Sequence, residues 1–181
     1  MAAIAAWAQQ HTSREDVFLI PLVDMGGASQ VAPLAQVPMA PWNLFRAMAQ
    51  RNVLVTWLDG SGWTYAPWYA ATWIERMRAL GLHETAGLEE KTYQIGSWAV
   101  PYLQNMERFR ETYLRLNDAR VQQLKSSYRI DYWVVPEWVD SAFPVVYRYG
   151  CWKVLRMQPN ADTASRSKRA RAGESRLRLE P

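Results

Sequence analysis

The chain is poor in the residues that most often announce a chemistry. It has one cysteine, Cys151, and two histidines, His11 and His83, which lie far apart. A lone thiol forms no internal disulfide, and neither histidine belongs to a metal-ligand spacing, so a zinc site and a disulfide scaffold are not expected. The cysteine count leaves the compartment open. No window approaches the roughly 18–20 consecutive apolar residues of a membrane-spanning helix. The opening run from Met1 to Ala8 is apolar for eight residues. It lacks the basic n-region of a signal peptide and fits the end of a longer helix. The chain therefore reads as soluble. No Gly-x-Ser-x-Gly elbow occurs, which removes support for an α/β-hydrolase nucleophile. Asp59-Gly-Ser-Gly lacks the Lys-Ser/Thr ending of a phosphate loop and the three glycines of a dinucleotide fingerprint, so it reads as a turn. The glycines of Met25-Gly-Gly are equally uninformative. No cofactor is expected.

Tryptophan, in contrast, is abundant, with 10 residues from Trp7 to Trp152. Such side chains bury large areas while their N–H groups seek partners, so most are expected in the core and at its margin. The net charge of +4 is unevenly spread: the segment from Asn160 onward holds six of the 21 basic and three of the 17 acidic residues. The body is thus almost neutral. The division expected is an α/β domain over 1–159 and a disordered basic tail over 160–181, since the tail has too little apolar surface to offset its ordering entropy. Arg166-Ser-Lys-Arg-Ala-Arg offers charge without interleaved aromatics, which gives phosphate attraction and no base readout. No specific nucleic acid is expected.

Periodicity assigns the elements. A short helix over Ala2–Gln10 precedes an apolar strand over Val17–Val23 that carries Pro21. Asp24–Pro41 reads as a long loop. A helix over Trp42–Gln50, a strand over Val53–Leu58 and an amphipathic helix over Tyr69–Leu80 follow, the last with Gly81 as its C-cap. Leu103, Met106, Phe109, Tyr113, Leu116, Val121 and Leu124 predict one continuous helix over Pro101–Ser126. Ile130–Val135 is almost wholly apolar, as for a strand covered on both faces. Val145–Tyr149 and Trp152–Met157 alternate better and are joined by a tight turn at Gly150, with Cys151 as a small buried hydrophobe. The fold class is α/β: a small mixed sheet, with a parallel portion and a C-terminal antiparallel hairpin, packed with helices. Strand order does not follow from the sequence.

Three carboxylates, Asp24, Asp59 and Glu137, fall just after predicted strands, where open α/β sheets bind ligands. A stand-alone small α/β enzyme would use them together at the sheet edge. The plainer reading is that they are solvated loop residues.

Several landmarks occur in one order: Trp7; Thr12-Ser-Arg-Glu-Asp-Val-Phe-Leu-Ile-Pro; Phe45-Arg46 and then Arg51-Asn-Val-Leu-Val-Thr-Trp; Trp73-Ile-Glu-Arg-Met; Tyr128-Arg-Ile-Asp-Tyr-Trp-Val-Val; Phe143-Pro-Val-Val-Tyr with Trp152-Lys-Val-Leu-Arg. Over residues 7–157 the chain resembles the soluble C-terminal domain of uncharacterised bacterial polytopic membrane proteins. Those proteins are similar to lipid-linked-sugar glycosyltransferases with a multi-helix membrane domain. Asn52 stands where that family often has proline, Leu155 replaces an aromatic, and Asp59-Gly-Ser-Gly departs from the family's link. The resemblance implies a non-catalytic accessory domain on the extracytoplasmic face, with a polytopic membrane domain and glycan as partners. The family's catalytic acid lies in its membrane domain, so no catalytic residue is carried over. For glycan contact the residues to examine are Arg46, Trp57, Asp59, Trp63 and Tyr65, around the end of the second strand and its turn. The alternatives are the carboxylate enzyme above and a nucleic-acid-associated protein acting through its tail.

Overall fold

Tyr132–Pro136 is the strand around which the molecule is built. All five of its residues are buried, as its unbroken apolar run predicts. A computed structural model describes residues 1–24, 40–59, 67–82 and 99–157. In it the strands are β1 (Val17–Leu19), β2 (Asn52–Val53), β3 (Tyr132–Pro136), β4 (Val145–Tyr149) and β5 (Trp152–Arg156). They form one mixed sheet in the order β2-β1-β3-β5-β4. β1 runs parallel to both β2 and β3, and β5 runs antiparallel to both β3 and β4. The helices are α1 (Ala2–His11), α2 (Phe45–Ala49, preceded by a single 3-10 turn), α3 (Pro67–Ala79), α4 (Ala99–Leu114) and α5 (Asp118–Ser127). The fold is α/β, with helices packed on the sheet. Among the described residues no helix is long and apolar enough to cross a membrane.

Paired residues on β1 and β3 show how the core is divided. Phe18 lies opposite Tyr132, and their rings stack at 4.8 Å. Phe18 also meets Phe45 of α2 at 5.3 Å, and Tyr132 meets Trp7 of α1 at 5.9 Å. That face of the sheet is covered by α1 and α2. The next pair, Leu19 and Trp133, points the other way by the period-two rule, and Trp133 meets Phe143 at 6.4 Å. Among the described residues four tryptophans (Trp42, Trp73, Trp133, Trp152) are buried in the core, and Trp7 and Trp57 pack at its margin. Trp68 and Trp138 are exposed, so margin packing does not account for every ring.

Arg51 fixes α1 against α2. It is a buried cation whose partners are four backbone carbonyls and one hydroxyl instead of a carboxylate. Its Nη2 donates to the carbonyls of Gln9 (2.6 Å) and Thr12 (2.7 Å), its Nη1 to those of Gln50 (3.0 Å) and Ala49 (3.4 Å), and its Nε to the Thr12 hydroxyl (2.8 Å). Both helices therefore end on one guanidinium. The last carbonyls of a helix lack intrahelical donors and carry the negative end of its dipole, so a cation here satisfies both needs. Asp131 performs a comparable task for the sheet. Its carboxylate accepts the Val17 N–H at 2.9 Å, and its carbonyl accepts the Met157 N–H at 2.9 Å, closing the ends of β1 and β5 together.

Several boundaries differ from the sequence reading. β1 stops at Leu19 instead of Val23, and β2 covers Asn52–Val53 instead of Val53–Leu58. Pro21 has no N–H to continue a ladder, and beyond Val53 single bonds replace pairing: Leu54 N–H to Phe18 O (2.9 Å) and Trp57 N–H to Leu22 O (2.7 Å). The helix expected over Pro101–Ser126 is two helices. Asn117 breaks it as the N-cap of α5, its side chain accepting the Arg120 N–H at 3.0 Å. Asp118, in the first turn, holds Ser141 and Ala142 at 2.6 and 2.7 Å and so binds the new helix to the approach to β4. Pro101 is the third residue of α4, not the first. β4 does not alternate between buried and exposed faces: it is an edge strand of mostly exposed residues, with a bulge between Val145 and Tyr147. Bulges and charges of this kind blunt an edge against further pairing. Cys151 is half-buried against the core. The expected turn glycines hold. Gly150 has φ 59°. Gly81 has φ 109° and ends α3 with paired bonds, Leu82 N–H to Met77 O (3.1 Å) and Gly81 N–H to Arg78 O (2.9 Å). The expected tail over 160–181 lies outside the described residues.

Tyr113 of α4 ties the end of β1 to the middle of β3. Its buried hydroxyl lies against the Val134 carbonyl and 3.3 Å from that of Leu19. Burial raises its pKa well above the usual 10.0, with the neighbouring Trp133 indole opposing weakly. An unfolded tyrosine releases its proton near pH 10, whereas the folded one keeps it. Stability is thus full below pH 10 and falls as pH rises toward the folded value, by up to about 1.4 kcal/mol per pH unit. Tyr113→Phe is expected to reduce that alkaline slope in urea titrations between pH 9 and 11. Part of the slope should remain, because the Tyr128 and Tyr132 values are raised as well, chiefly by burial. An unchanged slope in the variant would exclude Tyr113 as its source.

Candidate functional site

Beyond Val53 the chain turns at Thr56–Asp59, and this turn builds one wall of an open cleft of about 500 Å3. α2 and the 3-10 turn before it form the second wall, and the start of α3 forms the third. The lining residues are Asn43, Arg46, Ala47, Thr56, Leu58, Asp59 and Tyr69. Asn43, Arg46 and Ala47 share a side because they sit three and four residues apart along one helical turn.

Arg46 and Asp59, both singled out from the sequence, form the polar centre. Their side chains meet in a forked pair, Nη1 to Oδ1 at 2.5 Å and Nη2 to Oδ2 at 3.1 Å. The two members are unequally placed: the Arg46 side chain is 47% exposed and that of Asp59 only 10%. Asp59 Oδ2 also accepts the Thr56 N–H at 2.7 Å, so the carboxylate takes three hydrogen bonds, two of them on Oδ2. Arg46 Nη2 makes a further contact to the Val53 carbonyl at 3.4 Å. Of the five N–H donors of a guanidinium, this leaves the Nε–H and one Nη1–H without an acceptor among the described residues. Among the described residues the lining carries one cation and one anion, in contact with each other.

The other residues expected here are distributed differently. Trp57 is not among the lining residues; it is half-buried, with its ring 4.7 Å from Phe109 and 5.9 Å from Trp73. Its faces are engaged in packing. Trp63 and Tyr65 lie outside the described residues. Asn43, Thr56, Leu58 and Tyr69 line the cleft without having been expected. Asn43 carried a usable signal, its three-residue spacing from Arg46. Tyr69 carried none, because only the packing of α3 brings it opposite α2.

The three carboxylates after the strands separate into two groups. Asp24 accepts from the Asn43 Nδ2 (3.2 Å) and N–H (3.4 Å), so Asp24 and Asp59 both attach to the Asn43–Arg46 turn. Glu137 is instead paired with Arg148 on β4, and its backbone carbonyl accepts from Lys153 at 3.0 Å. It is bound to the hairpin, while Asp24 and Asp59 are bound to the opposite part of the sheet by way of α2. Among the described residues no three His, Cys, Asp or Glu side chains gather as a metal site would require. The arrangement offers fixed hydrogen-bond donors, an amide and one aromatic ring around a partly apolar floor. No family model matches the chain, and no curated protein or solved structure matches it.

Proposed function

We propose that this chain is a non-catalytic accessory domain that holds a glycan in the Arg46–Asp59 cleft, on the extracytoplasmic face of a membrane glycosyltransferase-like protein. The observation that carries the binding reading is the neutral forked pair with Tyr69 beside it. Planar, preorganised polar groups next to an aromatic face suit a ligand with many hydroxyls and apolar C–H faces. Three of the roughly four acceptor sites of the Asp59 carboxylate are taken by Arg46 and the Thr56 N–H, which favours a holding task for this side chain over proton abstraction. The membrane setting is supported by the sequence resemblance. It is also supported by apolar exposure around the cleft: Leu58 on its wall, Leu44 in the 3-10 turn, Met48 on α2, and Trp68, 80% exposed, next to Tyr69 in sequence. Tryptophan is favoured at membrane–water interfaces.

The test is binding of neutral oligosaccharides to the domain, followed by NMR or calorimetry, with Arg46→Ala and Tyr69→Ala as paired variants. Each substitution is expected to weaken binding roughly tenfold or more, as for the loss of one charged hydrogen-bonding or stacking partner. Arg46 covers the nearly buried Asp59 carboxylate and Tyr69 packs partly against the core, so far-UV CD and melting temperature are followed in parallel and binding is compared where each variant remains folded. Binding that survives both substitutions would place the glycan elsewhere, and no binding to any glycan would remove the reading.

A further inference from the structure

From the unequal burial of the forked pair we infer that Asp59 sets the charge selectivity of the cleft, admitting uncharged saccharides and rejecting acidic ones. The inference rests on the glycan-binding reading and adds the ligand's charge class. An exposed arginine in a cleft ordinarily recruits carboxylate or phosphate through the two-pronged geometry of its guanidinium. Here that edge is already taken, since Nη1 and Nη2 both donate to Asp59. Asp59 is itself held by the Thr56 N–H, so it does not swing aside without leaving that donor bare. An incoming anion would meet an arginine already neutralised and a carboxylate of its own sign beneath it. A sugar hydroxyl needs only a single acceptor–donor contact, and the Nε–H and remaining Nη1–H provide two. Asp59 is therefore a positioning residue that aims Arg46 and cancels its charge. Among the described residues the remaining lining side chains, Asn43, Ala47, Thr56, Leu58 and Tyr69, add no carboxylate, ammonium or guanidinium that would restore a net charge.

The experiment compares methyl pyranosides with the corresponding methyl pyranosiduronates, on the unmodified domain and on Asp59→Asn, by ligand-observed NMR and calorimetry. The substituted side-chain amide would keep an oxygen for the Thr56 N–H while leaving the Arg46 charge unopposed. The unmodified domain is expected to prefer the neutral sugars, with an affinity that hardly changes between about 20 and 300 mM salt, because no net charge is engaged. Asp59→Asn is expected to gain about tenfold or more for the uronates, in a salt-sensitive way, as for one unpaired charge near a surface. Should Asp59→Asn fold poorly, Arg46→Gln serves instead: it leaves an uncompensated carboxylate and should weaken uronate binding further than neutral binding. Uronates bound by the unmodified domain as tightly as neutral sugars would overturn the selectivity role while leaving the glycan reading intact. Failure of both sugar classes to bind would overturn both.

Discussion

Arg51→Ala is expected to cost about 3–5 kcal/mol of folding stability, the range for removing one partner from a buried charged network. Four backbone carbonyls, those of Gln9, Thr12, Gln50 and Ala49, lose their donor at once, together with the Thr12 hydroxyl. A buried acceptor left bare costs about 1–3 kcal/mol, although water entering the vacated space would recover part of that sum. Against the roughly 5–15 kcal/mol that holds an ordinary domain together, the variant should be close to unfolding. Arg51→Lys is expected to recover only part of the loss, because an ammonium has three donors on one point and does not reach two helix ends in a plane. Urea denaturation gives the energies, and amide exchange in α1 should accelerate before that of β3. A loss below about 1 kcal/mol in Arg51→Ala would show that the clamp is not what joins α1 to α2.

Trp133→Ala should be of similar size, about 3–5 kcal/mol, as for large aromatic truncations in a core. Trp133 lies in the central strand and is almost fully buried, paired with Leu19 on one side and Leu155 on the other. It also adjoins Phe143, where the chain enters the hairpin. The cavity left by its indole would open at the junction of the parallel and antiparallel halves of the sheet. Backbone bonds hold the strands on both sides, so collapse around the gap should be limited. Trp133→Phe keeps a ring in place and should cost about 1–2 kcal/mol, near the range of volume-changing swaps within a core. Thermal and urea melts of the two variants separate the cases. Equal losses in both would mean that volume is not the quantity that matters at this position.

These two residues differ in how legible they were. Trp133 belongs to an apolar run, and a run of that kind reads as a strand buried on both faces. Arg51 sits in a stretch that reads as the entry to a strand, and nothing in its neighbours says that a cation there is buried. Four of its five acceptors are backbone carbonyls, those of Gln9 and Thr12 lying roughly forty residues away; every residue possesses such atoms and no side-chain pattern marks them. The same contrast runs through the candidate site. Arg46 and Asp59 stand out as a charged pair near one strand end, and the fold does bring them together. Trp57 stands out equally, yet its aromatic face is consumed by Phe109 and Trp73. Aromatic identity signals contact area without saying whether the partner is core or ligand.

Local chemistry was enough to determine the α/β class, the closing hairpin with Gly150 in its turn, the Gly81 stop of α3 and the buried character of β3. Each depends on neighbours within a few residues, where periodicity and backbone freedom act directly. The break at Asn117 was also local, and its capping chemistry was masked by an apolar stripe that runs through both helices. Tertiary structure alone decided the order β2-β1-β3-β5-β4, the early ends of β1 and β2, the burial of Arg51, and the meeting of α2, the Thr56–Asp59 turn and Tyr69 around one cleft. Those outcomes depend on which surfaces meet across long stretches of chain. Hydrophobic burial, which drives that meeting, is non-directional, so it fixes that residues are buried and leaves their partners to the packing of the whole.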